Sequence, residues 1–283
     1  MNSAQLLQVK KGRGLDDLIR GYTIGKLDES KKVSVTGSGL LIHLLQTYQK
    51  FLNNNNLPCL HTSLMAETYS IEKMIDYFKY DVKGTVLKPP EISAFLQMTI
   101  TYEDHGWYRG LTGIFVSVLM QQSYDAGYNQ FYFNIENFPK LDNLAVLVRG
   151  KEKKPIEVAI SGNIGEHFGH GAAYASLQAS SKSNLCFVGC RTQNSTLILR
   201  GNVQDLGFYS NDSNFIVYGD VKKERFGPLL YHAQRSSCLI DGSLEEIRKT
   251  TADNCTFKTP NKKTYDLLKK SVPPGNRIIL EKQ

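Results

Sequence analysis

Glu166, His167 and His170 fall in one short stretch, and His232 lies in a later loop. Three imidazoles and a carboxylate would suit a zinc ion, which takes nitrogen and oxygen ligands tetrahedrally. A His-x-x-His pair in a loop has no fixed geometry, however, and exposed loop histidines are common. The four are therefore metal candidates only, and the expectation is that no metal and no cofactor is bound. Cys186 and Cys190 share one face of an expected strand, where buried thiols act as small apolar residues more often than as ligands. A second cluster, Tyr102-Glu103-Asp104-His105-Gly106-Trp107-Tyr108, gathers acids, an imidazole and the sole tryptophan. It could line a pocket with a general acid or base, or it could be a polar connection whose aromatics anchor the next helix. With no nucleophile or metal partner beside it, it specifies no reaction. Gly37-Ser38-Gly39 stands between an expected strand and a helix, as at the entry to a phosphate-binding turn. Ile42 occupies the place of the third glycine and no Walker lysine follows, so a plain strand-to-helix turn is the preferred reading. Neither a Gly-x-Ser-x-Gly elbow nor a His-Glu-x-x-His motif occurs.

The elements that would position these residues show a repeat. Val158-x-Ile160-x-Gly162-Asn163-Ile164, Leu197-x-Leu199-x-Gly201-Asn202-Val203, Phe215-x-Val217-x-Gly219-Asp220-Val221 and Cys238-x-Ile240-x-Gly242-Ser243-Leu244 superimpose without gaps. Alternating apolar positions place their side chains on one face of a strand. Glycine permits a tight corner, and Asn, Asp or Ser beside it can hydrogen-bond the turn locally. The corner glycines are 39, 18 and 23 residues apart, the first interval being two turns with a degenerate corner expected at Ala175-x-Leu177-x-Ala179-Ser180. About 20 residues per repeat is one coil of a β-solenoid, in which stacked coils share a core. A sandwich would not put the same residue types at each corner.

Gly162-Asn163-Ile164-Gly165-Glu166-His167-Phe168-Gly169-His170-Gly171 resembles the repeated glycine corner of the glutamate synthase C-terminal domain, also found in a formylmethanofuran dehydrogenase subunit. Weaker copies span residues 201–207 and 219–227. Upstream, residues 116–127 read as a helix with a glycine stop and Phe131-Tyr132-Phe133-Asn134-Ile135 as a strand, in the family's order. The resemblance covers residues 110–247. It implies a right-handed parallel β-helix that braces other domains. The family's flavin, iron–sulfur and amidotransferase chemistry does not carry over: residue 2 is Asn2, and no cysteines cluster.

Residues 1–109 differ in texture. Residues 33–35 and 57–60 read as short strands, residues 40–52 and 69–80 as helices, and residues 92–100 as an apolar stretch, which together suggest a small α/β domain. Residues 248–283 read as a basic C-terminal cap or tail. From Cys255 onward it carries seven basic residues against two acids, much of the chain's net +7. Its expected helix at 265–270 and extended stretch at 277–280 should cover one end of the solenoid, and the helix at 114–126 the other.

The longest apolar run, residues 114–120, is far short of the roughly 20 residues that span a bilayer. Five scattered cysteines and no secretory leader pattern lead to the expectation of a cytoplasmic protein with reduced thiols. The expected fold is α+β: a small α/β domain, then a β-helix with helical caps. The expected function is a scaffold that binds a protein partner. One alternative is an enzyme or ligand-binding protein with its site between the N-terminal domain and the first corner, near residues 103–107 and 166–170. The other is an RNA-binding accessory protein using basic termini, including Lys10-Lys11-Gly12-Arg13-Gly14. A second copy of the chain is a further expected partner.

Overall fold

A computed structural model describes residues 35–54, 64–223 and 228–281. The expected strand at 57–60, the basic segment at 10–14 and Cys59 lie outside the described residues. Every described element before residue 130 is helical: α1 (Val35–Leu52), α2 (Leu64–Asp81), α3 (Pro89–Thr99), a 3-10 turn and α4 (Tyr108–Asp125). The α/β character expected of residues 1–109 is thus not found among them. Gly37-Ser38-Gly39 is no turn, because α1 already starts at Val35. Its apolar residues recur at helical spacing, burying Leu41, Leu44, Leu45, Tyr48 and Phe51 together. The phosphate-turn geometry is therefore absent.

Tyr48 centres this helical layer, edge-on to Phe95, Tyr102 and Phe115, with its hydroxyl 2.6 Å from Thr112 Oγ1. Helix α4 is buried on nearly every side, as expected for a helix between two layers. One side packs on the helical layer and the other on the first coil of a solenoid.

That solenoid has about six turns. Its strands are β1 (Gln130–Ile135), β2 (Ile156–Gly162), β3 (Ala175–Ser180), β4 (Leu185–Val188), β5 (Thr196–Arg200), β6 (Val203–Leu206), β7 (Asn214–Val217), β8 (Ser237–Ile240), β9 (Thr256–Thr259) and β10 (Arg277–Leu280), with helix α5 (Lys262–Ser271) before the last. One eight-stranded sheet runs β1-β2-β3-β5-β7-β8-β9-β10, parallel at every pair. A second face holds β4 and β6 and the bridges Leu141–Ile164, Val203–Val221 and Val221–Leu244. A third is a line of single bridges from Arg149 through Ala173, Gln193, Asn211 and Gln234 to Asp253. The inward row Phe131, Val158, Leu177, Leu197, Phe215, Cys238 and Phe257 is the spine of the core, each residue at most 1% exposed. The Cys238 thiol is pushed up to about 12 by burial there, with Cys255 adding.

The corner glycines stack as expected. A β-carbon on Gly219 would lie 2.2 Å from Gly201 O, and one on Gly242 would lie 2.4 Å from Gly219 O. The degenerate corner is displaced. Ile160 pairs with Ala179 and Ser180 with Arg200, so Ser181, not Ala179, stands in the glycine position. The polar corner residues also act differently from expectation: they bond between coils rather than within the turn. Asn202 Oδ1 accepts the Asp220 N–H at 3.0 Å, and Asp220 Oδ1 accepts the Ser243 N–H at 2.9 Å. Asn163 Nδ2 donates back to the Phe138 carbonyl at 2.7 Å.

The first coil is sealed. Ser93 and Gln97 of α3 donate to the Tyr132 and Asn134 carbonyls on the outer edge of β1. On α4, Gln121 exchanges two hydrogen bonds with the Arg149 backbone, and Ser117 Oγ accepts the Val146 N–H. Side chains thus take the place of a preceding coil, which an exposed sheet edge requires. At the other end α5 covers the second face, Thr264 Oγ1 accepting the Leu244 N–H and Leu268 being fully buried. The extended part of the segment expected as a cap adds a strand to the sheet, β10 pairing in register with β9.

Candidate functional site

The first turn of α4 and the first two coils enclose a cleft of about 280 Å³, lined by Trp107, Arg109, Asp142, Asn143, Glu166 and His167 together with Gly106 and Gly110. Close approach makes it. A β-carbon on Gly113 would lie 1.9 Å from Asp142 O, so α4 rests directly on the first coil. Asp142 ties the two together. Its Oδ1 accepts the Glu166 N–H at 2.8 Å, and Arg109 reaches Oδ2 at 3.1 Å while donating from Nε to the Lys140 carbonyl. Gly165 leaves room for that carboxylate, since a β-carbon there would fall 1.8 Å from Asp142 Oδ1.

Of the residues singled out from sequence, the cleft brings together Trp107, Glu166 and His167. Glu103, Asp104 and His105 do not line it; His105 Nδ1 accepts the Trp107 N–H at 3.3 Å. His167 is 2% exposed, at φ +62, and lies flat on Phe187 with centroids 5.0 Å apart. His170 is 1% exposed and stands edge-on to His167. Burial pushes the His170 imidazole down to about 3, with His167 and Arg191 adding, so it is neutral across the physiological range. His232 is elsewhere. Along the positive-φ corners Gly171, Arg191, Tyr209 and His232 it is three coils from the His170 level, roughly 14 Å at one strand spacing per coil. There it is exposed and stacks with Tyr209, centroids 5.3 Å apart. Among the described residues no group of three or more His, Cys, Asp or Glu is placed to hold a metal ion.

Cys186 and Cys190 join Phe187, Phe208 and Tyr231 in a small apolar cluster beside the main core. Only Cys186 is on β4; Cys190 lies in the following turn, its Sγ 3.3 Å from the Phe187 carbonyl. Four of the basic residues near the C-terminus sit on α5, where Lys262 pairs with Asp266 at 2.8 Å and Lys262 and Lys269 flank the Tyr265 ring; Lys258 and Arg277 are on β9 and β10. No described helix is long and apolar enough to cross a membrane.

Sequence reasoning missed Arg109, Asp142 and Asn143. Asn143 adopts φ +60, and its Oδ1 is buried with no hydrogen-bond partner among the described residues. A polar residue in left-handed backbone was the one signal the sequence could have offered.

The outer face of the long sheet is the other prominent surface. Its central row runs Tyr132, Ala159, Gln178, Ile198, Ile216, Leu239, Lys258 and Ile279. Beside it stand Ser176, Thr196, Asn214, Ser237 and Thr256. The small residues Ala159, Ser161 and Ser180 leave a groove of about 430 Å³ between Tyr132 and Asn134 on one side and Ile198 and Arg200 on the other. Arg200 lies over the Tyr218 ring at 4.7 Å. No family model, no curated protein and no solved structure matches the chain.

Proposed function

We propose that the chain is a non-catalytic scaffold that binds a protein partner on the outer face of its eight-stranded sheet. The observation that supports this is the groove described above. A partner's apolar side chain would seat against Ala159 and Ile198, and its acidic group would meet Arg200. We take the solenoid to be right-handed, as parallel crossovers nearly always are. The resemblance to the glutamate synthase C-terminal domain supports the same reading, since in that family the β-helix serves as a brace.

The test exploits the outward direction of Ile198. Ile198→Glu and a control off that face, Lys249→Glu in the loop after Leu244, are compared with wild type by capture from native lysate and quantitative mass spectrometry. A protein retained by wild type and the control but lost with Ile198→Glu, at unchanged melting temperature, is expected. Equal retention by all three overturns the reading.

A second reading has its own observation: Trp107, Arg109, Glu166 and His167 converge on one cleft. A small ligand with a planar group and both donors and acceptors fits that lining. Ligand-dependent thermal shift with Trp107→Ala as the control separates it from the scaffold reading.

A further inference from the structure

The two ends of the solenoid are treated differently. At the first coil, the inward residues Phe131, Phe133 and Ile135 are at most 5% exposed, and α3 donates to the edge carbonyls. At the last coil, Ile278 and Leu280 occupy the same inward rows, paired with Phe257 and Thr259, yet Ile278 is only half-buried and Leu280 is 41% exposed. Among the described residues strand β10 ends the sheet order. Its Arg277 and Glu281 N–H groups donate to Cys255 and Thr259 of the β9 side, so by strand alternation the N–H and C=O of Ile278 and Leu280 face outward. A bare edge with apolar side chains beside it is a template for another strand.

We propose that the outer edge of β10 pairs, antiparallel and about a two-fold axis at Ile279, with β10 of a second copy of this chain. Charge selects this occupant. Arg277 begins the edge and Glu281 follows its end, and no ion pair engages either among the described residues. In the two-fold register Ile278 of one copy faces Leu280 of the other as a hydrogen-bonded pair, using every outward donor and acceptor. Arg277 then faces Glu281 as a non-hydrogen-bonded pair, the arrangement that brings side chains closest. A parallel pairing in register would set like charges side by side. Head-to-tail stacking of copies is blocked, because α3 and α4 cover the β1 end; the contact therefore closes as a dimer rather than growing a fibre. Ile278 and Leu280 from both copies meet across the join and complete each other's last core layer. This contact lies at the end of the solenoid and does not depend on the lateral-face function proposed above.

Sedimentation velocity of the full chain over a concentration series tests it, with circular dichroism to check that each variant is folded. Wild type is expected to dimerise. Arg277→Glu places like charges opposite each other at both symmetric positions and should raise the dissociation constant about tenfold. Arg277→Glu combined with Glu281→Arg should restore wild-type affinity, which no unrelated partner or register would produce. Leu280→Pro removes an outward N–H while sparing the bonds to β9, and should also weaken the dimer. A wild type that is monomeric at every concentration overturns the proposal. So does a dimer indifferent to these changes, or a folded double variant that fails to recover.

Discussion

Gly242 rests on the carbonyl oxygen of Gly219 so closely that a β-carbon there would be 2.4 Å away, and Gly219 rests on Gly201 in the same manner. The obstacle is backbone in each case, so no side-chain rotation relieves it. The coils themselves would have to part. Gly219→Ala is therefore expected to destabilise the fold by about 1–3 kcal/mol, as overpacking does. Gly39→Ala is the contrasting control: it sits exposed in α1 with nothing within 4 Å of the added carbon, and should stabilise by about 0.5–1 kcal/mol. Urea unfolding of both variants checks the pair; similar effects would count against stacked corners.

This corner was legible in the sequence because four of its levels, Gly162, Gly201, Gly219 and Gly242, keep glycine after an alternating apolar strand. The level with Ser181 was misplaced by two residues, since Leu177 aligns with Val158 and Leu197 and carries the corner past Ala179. A second corner went unread. Asn194-Ser195, Asp212-Ser213, Arg235-Ser236 and Asn254-Cys255 all begin with left-handed backbone, and Ser236 accepts the Ser213 N–H while Cys255 Sγ accepts the Ser236 N–H. Three of the four first residues are Asn or Asp, which tolerate that conformation, and Ser or Cys follows each, but a pattern two residues long is too short to announce a corner. The cleft was half-legible: Trp107 and Glu166 stood out by type. Arg109 and Asp142 are 33 positions apart and meet only because α4 lies across the first coil.

Asp220 links three coils, and its carboxyl is held below the usual aspartate range by the Ser243 N–H, then by the Ser243 hydroxyl and Lys222. A carboxylate favoured in the fold contributes stability above its unfolded value of 3.8 and loses it as pH falls through the lower folded value. Asp220→Ala should therefore cost about 1 kcal/mol near pH 7, a modest figure because the group is solvent-exposed. The difference from wild type should shrink as the solution is taken below the ordinary aspartate range. A constant difference across that window would show that the hydrogen bonds to Ser243 do not need the charge.

The buried His170 gives the opposite kind of titration. Its imidazole stays neutral down to about 3 in the fold, whereas the unfolded chain takes up a proton near 6.5. Above that value the residue adds no pH dependence. Between the two values only the unfolded state is protonated, so stability falls as pH falls, by up to about 1.4 kcal/mol per pH unit. His170→Asn should lower stability near pH 7.5 but flatten the slope from there to about pH 5. Parallel curves for variant and wild type would show that His170 is protonated in the folded protein.

The cleft offers the sharpest comparison, between the two halves of one ion pair. Arg109 is 51% exposed at its side chain, so water takes over its contacts when it is truncated, and Arg109→Ala should cost at most about 1 kcal/mol. Asp142 is 20% exposed and also accepts the Glu166 N–H, which joins the second coil to the first. Asp142→Ala leaves that N–H without its acceptor and the Arg109 guanidinium with only the Lys140 carbonyl, and should cost about 1–3 kcal/mol. The sole tryptophan, Trp107, lines the same cleft at 37% exposure, so its emission reads the cleft directly. Asp142→Ala should shift that emission to the red as α4 loosens from the first coil, and Arg109→Ala should leave it nearly unchanged. If both variants shift it equally, Arg109 rather than the Glu166 N–H is what holds Asp142 in place. If neither does, the packing of Gly113 on the Asp142 backbone suffices to hold α4, and the carboxylate serves the cleft alone.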